Sequence, residues 1–352
     1  MLLKKLEDDE LVVTSVGAGY VGALTAITMA YCNPKVRFKV CDINQKLIDR
    51  WNRDDLPFFE PDLEEYFHQT MHTIGNIEFT TDVQRCITQG DIIFISVNTP
   101  PKKLEQVAVL QSRGHSRQDA ENEATMGCQT DLSAFMSVVR EIGSLFDASS
   151  SETFHKVLIE KSTVPLGTAV QVEKQLAEVI GVDIEGVSKY YSVVNMPEFL
   201  AEGSAIRDLV APQRVVIGTR NDLVFELINN LMQRRKSSNG KQTADEIKVI
   251  RTHDTGSSEL GKLMSNAMLA QRISSMNSVT ELCEMTPGCD VSSVKAIVQA
   301  DDRIGGKYLQ CSLGFGGSCF EKDLQSLIYI LHSNNMMSSA VYWQGVLDLN
   351  LH

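Results

Sequence analysis

From Leu11 onward the chain alternates short β-branched apolar runs with longer amphipathic stretches. LVVTSV (11–16) precedes a helical pattern starting at Tyr20, and VRFKV (36–40) precedes one running through Trp51. Further strand-like runs stand at 91–97, 156–162, 191–195 and 214–218, with helical patterns between them. This rhythm predicts βαβ units, so residues 1–220 are expected to form an open, mostly parallel, doubly wound α/β sheet of the Rossmann type. Residues 102–126 break the rhythm, being mostly polar with no sustained period, and are expected to be a surface insertion. Residues 221–253 read as a connecting α/β segment, and from 254 to 352 the pattern is nearly all helical. Apolar residues at 260, 263, 264, 267, 268, 273, 276 and 279 repeat at helical spacing. So long a helix usually connects or dimerises domains.

The 352 residues are 43% hydrophobic, enough material for two domains. Lys and Arg total 33 against 45 Asp and Glu, a net charge of -12, and no basic run offers a phosphate-tracking surface, which argues against nucleic acid. Eight cysteines without CxxC spacing resemble neither a zinc framework nor a secreted disulfide array, and a reducing compartment suits them. The N-terminus is too charged for a signal h-region, and no apolar run is long enough to span a bilayer. These features predict a soluble, cytoplasmic protein with no membrane partner.

Gly17, Gly19 and Gly22 spell G-x-G-x-x-G after the first strand and at the mouth of a helix. The next strand ends near Asp42, 20 residues after Gly22, where a carboxylate can accept hydrogen bonds from an adenosine ribose and repel a 2'-phosphate. Strand, glycines, helix and acid together predict a dinucleotide site selective for NAD, with the pyrophosphate at the helix start.

In GFGGSCFEKDLQSLIYIL (314–331), Gly314, Gly316 and Gly317 permit close backbone approach to a ligand. Ser318 and Glu321 spell a capping box that would start a helix at Cys319. A first-turn thiol faces the positive end of the helix dipole, which favours its thiolate, so Cys319 is the candidate nucleophile. Asp323 lies one turn further on. Lys262 and Asn266 share one face of the long helix, where they could equally form a solvated stripe. Glu198 and Glu202 are also four apart, with Pro197 and Gly203 placed as the ends of a short helix. His68 and His72 in HQTMH lack the glutamate of HExxH, so a solvated helix face is expected there, and no metal.

The motifs GAGYVG, FISVNTP, EKSTVP, NMPEFLAEGSAIRDL, SSELGKLMSNAMLAQRISSMNS and GFGGSCFEKD, spread from Leu11 to Asn350, together closely resemble the UDP-glucose/GDP-mannose dehydrogenase family. The resemblance implies NAD-dependent oxidation of UDP-glucose at C6 to UDP-glucuronate, through a thiohemiacetal and a thioester on Cys319. It implies that Lys262 and Asn266 stabilise the oxyanion, while Asp323 and Glu198 handle protons and water and Thr163 positions that water. For the cofactor it adds Ala18, Tyr20, Val21, Val97, Asn98, Thr99, Pro100, Ser162, Thr163, Val164 and Glu202. For the sugar nucleotide it implies Glu198, Phe199, Leu200, Lys262, Asn266, Gln310, Phe315, Gly316 and Arg303, the last reaching into a partner subunit's site. At least a homodimer follows. Pro101 stands where the family commonly has threonine, and Gln310 where relatives often carry lysine. No match to the family's C-terminal UDP-binding domain is read, so a truncated chain that binds NAD with little turnover is expected. A non-catalytic NAD-binding or subunit-interacting paralogue, or a dehydrogenase for another nucleotide sugar, are the alternatives.

Overall fold

The computed structural model describes residues 1–102, 127–146, 155–234, 247–316 and 319–351. Apart from Lys102, the expected insertion lies outside the described residues, as does Ser318 of the expected capping box. The chain divides into two compact units, Met1–Thr99 with Leu132–Glu259 and Pro100–Asp131 with Leu260–His352.

The first unit is built on one eight-stranded sheet: β1 Val12–Val16, β2 Arg37–Cys41, β3 Ile77–Thr80, β4 Ile92–Ile95, β5 Lys156–Glu160, β6 Tyr191–Asn195, β7 Val215–Gly218 and β8 Val249–Thr252. Their order is β3-β2-β1-β4-β5-β6-β7-β8, parallel throughout except at the antiparallel β6–β7 pair. β1, β4, β5 and β6 are buried along their whole length, which explains their near-continuous Val and Ile content. Helices cover both faces. Leu24, Ile27, Trp51 and Phe67 pack on one side, and Phe135, Val139, Val172 and Leu176 on the other. β3 and β8 are the two strands that hydrophobic patterning did not predict; each is four residues long and only partly buried, so neither leaves a distinct run.

The second unit is helical. It takes Leu260–Met285 from the helix Thr255–Met285, which is 31 residues long, and adds Val291–Gln299, Phe320–Ser333 and Met337–Leu351. Its core joins Ala267 and Ala270 of the long helix to Leu324, Leu327 and Ile328, with Trp343 and Val346 of the last helix.

Candidate functional site

Sheet order reverses at β1, which has β2 on one side and β4 on the other. In open α/β sheets ligands bind beyond the carboxyl ends of the strands at such a switch point. The predicted cofactor residues of the first unit gather there. Gly17, at φ +110°, lies in the left-handed region, and a Cβ on it would meet Ser96 O at 2.5 Å. A Cβ at Gly22 would meet Gly17 O at 2.1 Å. A Cβ at Gly19 would meet nothing within 4 Å, so open space faces the N-cap of the helix Tyr20–Cys32. That cradle, with unpaired N–H groups in the first helical turn, fits a pyrophosphate. Asp42 accepts from Ala18 N (2.9 Å) and Asn44 N (2.9 Å), and its carboxylate keeps lone pairs for two ribose hydroxyls. Trp51 Nε1 donates to Ala18 O at 3.1 Å, fixing the loop from behind. The loops after β4 and β5 are tied together: Thr99 Oγ1 donates to Thr163 O (2.8 Å) and Ser162 Oγ to Val97 O (2.6 Å). Asn98 lies in the same loop, Val164 is buried in the core, and Pro100 belongs to the second unit.

The segment after β6 departs from the expected helix. Residues 196–201 carry no helix; Glu198, buried, accepts from Leu200 N at 2.7 Å. A side chain that satisfies its own neighbouring N–H competes with a helical turn, and Gly203, at φ +87°, ends the segment in the left-handed region. Glu198 and Glu202 therefore do not share a helix face, and Glu202 is exposed. Arg214 stacks its guanidinium 4.0 Å over the Phe199 ring.

Three buried acids that sequence reasoning missed lie in this unit. Glu60 accepts from Tyr20 Oη (2.6 Å), Gly203 N (3.0 Å) and Ala205 N (2.7 Å), capping the helix Ala205–Val210. Burial and the Glu60 carboxylate push the Tyr20 phenol well above its usual range, so it stays a donor. At the end of β5, Glu160 accepts from Asn195 Nδ2 (3.1 Å), and Glu259 accepts from Gly167 N (2.6 Å) and Ala169 N (2.9 Å). Both acids are 1% exposed. Burial drives both carboxyl groups upward from ordinary glutamate values, and the Glu259 charge adds to the rise at Glu160. Glu160 and Glu259 stand inside EKSTVP and SSELGKLMSNAMLAQRISSMNS without a role read for them there, and no motif marks Glu60.

In the second unit the helix carrying the candidate thiol is Phe320–Ser333, with Cys319 as its N-cap rather than its first helical residue. Cys319 is exposed, and its carbonyl accepts from Asp323 N at 3.0 Å. Glu321 accepts from Gln325 Nε2, while Ser318, its expected capping-box partner, lies outside the described residues. Asp323 turns into the protein, 1% exposed, and accepts from Asn266 Nδ2 at 2.6 Å. Lys262 and Asn266 are 5% and 6% exposed, so the solvated-stripe reading is excluded.

The glycine loop before Cys319 serves partly to meet the chain itself. Gly314 has φ +103°, and a Cβ there would lie 2.5 Å from Asn350 Oδ1. Asn350, unmarked by any motif, accepts from Phe315 N (2.6 Å) and donates to Phe315 O (3.0 Å), pairing like a strand neighbour. A Cβ at Gly316 would meet nothing within 4 Å, and Gly317 lies outside the described residues. Gln310 is exposed and accepts from Lys295 Nζ at 3.3 Å; Arg303 is exposed and paired with Asp301.

Residues 11–235 match the UDP-glucose/GDP-mannose dehydrogenase family, NAD binding domain, and residues 256–352 match that family's central domain. UDP-glucose 6-dehydrogenase 5 of Oryza sativa subsp. japonica is 38% identical over 348 residues, covering 96% of this chain and 62% of the relative. The UDP-glucose 6-dehydrogenase of Caenorhabditis elegans is 39% identical over 346 residues, covering 96% and 63%. The chain thus spans a little over three-fifths of the length of these curated relatives. A solved UDP-glucose dehydrogenase from the archaeon Pyrobaculum islandicum superposes with a TM-score of 0.78 at 27% identity, over 97% of this chain and 68% of the other. Family matches over both halves, relatives near 38% identity and the glycine, thiol and lysine–asparagine geometry agree: this chain belongs to the UDP-glucose/GDP-mannose dehydrogenase family.

Proposed function

We propose that the chain is the NAD-binding and thiol-bearing part of a dehydrogenase that oxidises UDP-glucose at C6 to UDP-glucuronate. The observation that carries this reading is the Cys319 thiol, exposed at a helix N-cap, one turn before a buried Asp323 bonded to Asn266.

NAD, when bound, accepts one hydride in each of two oxidations. Cys319 adds to the aldehyde produced by the first, giving a thiohemiacetal, and the second leaves a thioester. Lys262 as cation and Asn266 as donor stabilise the oxyanion at each tetrahedral stage. Asn266 is fixed for that task, because Asp323 holds its amide from the other side. Glu198, with Thr163 positioning water, takes a proton as hydroxide character develops, and hydrolysis returns the thiol and the sugar carboxylate. One UDP-glucose, two NAD and one water give one UDP-glucuronate and two NADH, with protons released.

Glu198, Phe199, Leu200, Gln310, Phe315 and Gly316 are assigned to the sugar nucleotide by the same resemblance. The native assembly is at least a homodimer on the long helix, with Arg303 serving a partner's site. Met268, at 53% exposure, and Leu282, at 66%, support an apolar contact there. Eight cysteines free of disulfides suit the cytoplasm.

Incubating the protein with NAD and, separately, UDP-glucose, UDP-N-acetylhexosamines and GDP-mannose, while counting NADH, tests the proposal. Slow NADH formation, two for each UDP-glucuronate made and little from the other sugars, is the expected result. NAD binding without NADH from any sugar would support a non-catalytic role.

A further inference from the structure

We propose that Asp54, His68 and His72 form a surface site for a borderline divalent cation of the Zn(II) class, separate from the dehydrogenase chemistry. The three residues each offer one ligand atom, and these atoms all lie within 4.8 Å of one another. His72 Nε2 stands 3.2 Å from an Asp54 oxygen, and the two imidazole centroids are 5.4 Å apart, tilted by 33°. A tetrahedral zinc with bonds of about 2.0–2.1 Å holds its ligand atoms about 3.3–3.4 Å apart. One pair already has that spacing, and rotation of the exposed His68 ring closes the other two. Glu64 Oε1, 3.9 Å from His68 Nε2, offers a fourth oxygen, and water can complete the shell.

The ligands come from different elements mounted on one rigid cluster. His68 ends the helix Leu63–His68, and His72 sits on the π-helical turn Gln69–Ile74 that follows it. π-turns are rare, and where they occur they frequently mark functional positions. Phe67, fully buried, meets the His68 ring edge-on at 5.8 Å and the His72 ring at 6.4 Å. Trp51, also fully buried, packs on Phe67 at 5.5 Å, and its carbonyl accepts from Asp54 N at 3.4 Å. Asp54 adopts φ +57°, a left-handed conformation that aspartate tolerates and that anchors its carboxylate beside His72. Sites whose supporting shell is locked lose less freedom on binding.

Two imidazoles and one carboxylate select Zn(II), Co(II), Ni(II) or Cu(II) over Mg(II) and Ca(II), which take oxygen ligands. Thiolate sites are the competing explanation for zinc binding by this chain, since Cys283 and Cys289 bring their sulfurs within 3.0 Å. The test therefore uses Co(II), whose spectrum distinguishes the two kinds of ligand, on the untagged, chelator-treated full chain.

Expected is one Co(II) per chain bound at micromolar concentration, with visible d–d absorption, no intense thiolate charge-transfer band, and displacement by Zn(II). His72→Gln and Asp54→Asn should each weaken binding at least tenfold, while Cys289→Ser leaves it unchanged. Asp54→Asn keeps the size of a surface side chain, so it tests the site even if a histidine variant folds poorly. Unchanged affinity in Asp54→Asn and His72→Gln, a thiolate band, or no micromolar binding would overturn the proposal.

Discussion

Asn266 Nδ2 donates to Asp323 Oδ2 over 2.6 Å, with both side chains buried, and this bond joins the lysine–asparagine face of the long helix to the helix capped by Cys319. Removing the acceptor leaves a buried amide donor unsatisfied, at a cost of about 1–3 kcal/mol. Asp323→Ala should lower stability by that amount in urea titrations and slow oxidation as well. Asp323→Asn, which keeps an oxygen acceptor, should recover most of the stability. Equal stability losses in both variants would show that the bond does not matter.

Glu60 terminates two backbone N–H groups and the Tyr20 hydroxyl at once. Glu60→Ala should cost more than Tyr20→Phe, because it orphans three donors rather than losing one bond worth about 1 kcal/mol. Equilibrium unfolding of both variants checks the ranking, and NAD affinity should fall in Glu60→Ala because Tyr20 opens the cofactor helix.

The Glu160–Glu259 pair has a defined pH signature. Both acids are raised, chiefly by burial, so the folded state holds a proton that unfolded glutamates release above about pH 4.3. Stability should therefore be fully present below that value and fall as pH rises through the window up to the raised value. Glu160→Gln has no such proton to lose. Thermal melts between pH 4 and pH 8 should show a shallower decline for the variant than for wild type, and parallel curves would show that Glu160 does not hold that proton in the folded state.

Asn350 pairs with both polar groups of the Phe315 backbone. Asn350→Ala should release the loop that precedes Cys319, giving faster amide exchange at Phe315 and a loss of about 1–2 kcal/mol. Exchange that is unchanged at Phe315 would mean the loop is held by other contacts.

The parts of this molecule legible from sequence were those dictated locally. Gly17 must be glycine because its φ of +110° lies in the left-handed region, Gly22 because a Cβ would strike Gly17 O in the same short loop, and Lys262 and Asn266 share a face because four residues make a helical turn. Glu60 reaches Ala205 across 145 positions, and Asn350 reaches Phe315 across 35, so neither leaves a spacing to read. The expected Glu198–Glu202 helix failed for a local reason, since Glu198 bonds Leu200 N and the backbone does not need the helical turn. β3 and β8 were missed because a four-residue, half-covered strand carries too few apolar positions to show a period.

Asp42 already holds Ala18 N, so it positions the glycine loop as well as meeting the ribose. Asp42→Ala should weaken NAD binding by about 1–3 kcal/mol in calorimetry, whatever the sugar substrate. Unchanged affinity would place the adenosine elsewhere.

The central claim is that the Cys319 sulfur is acylated during turnover, and peptide mass spectrometry after a single turnover with UDP-glucose and NAD tests it most directly. Glu198→Gln, which slows the proposed hydrolysis, should accumulate a UDP-glucuronyl thioester on the peptide containing Cys319, and wild type should show little of it. Product formation with no adduct on Cys319, or an undiminished rate in Cys319→Ser, would contradict the account.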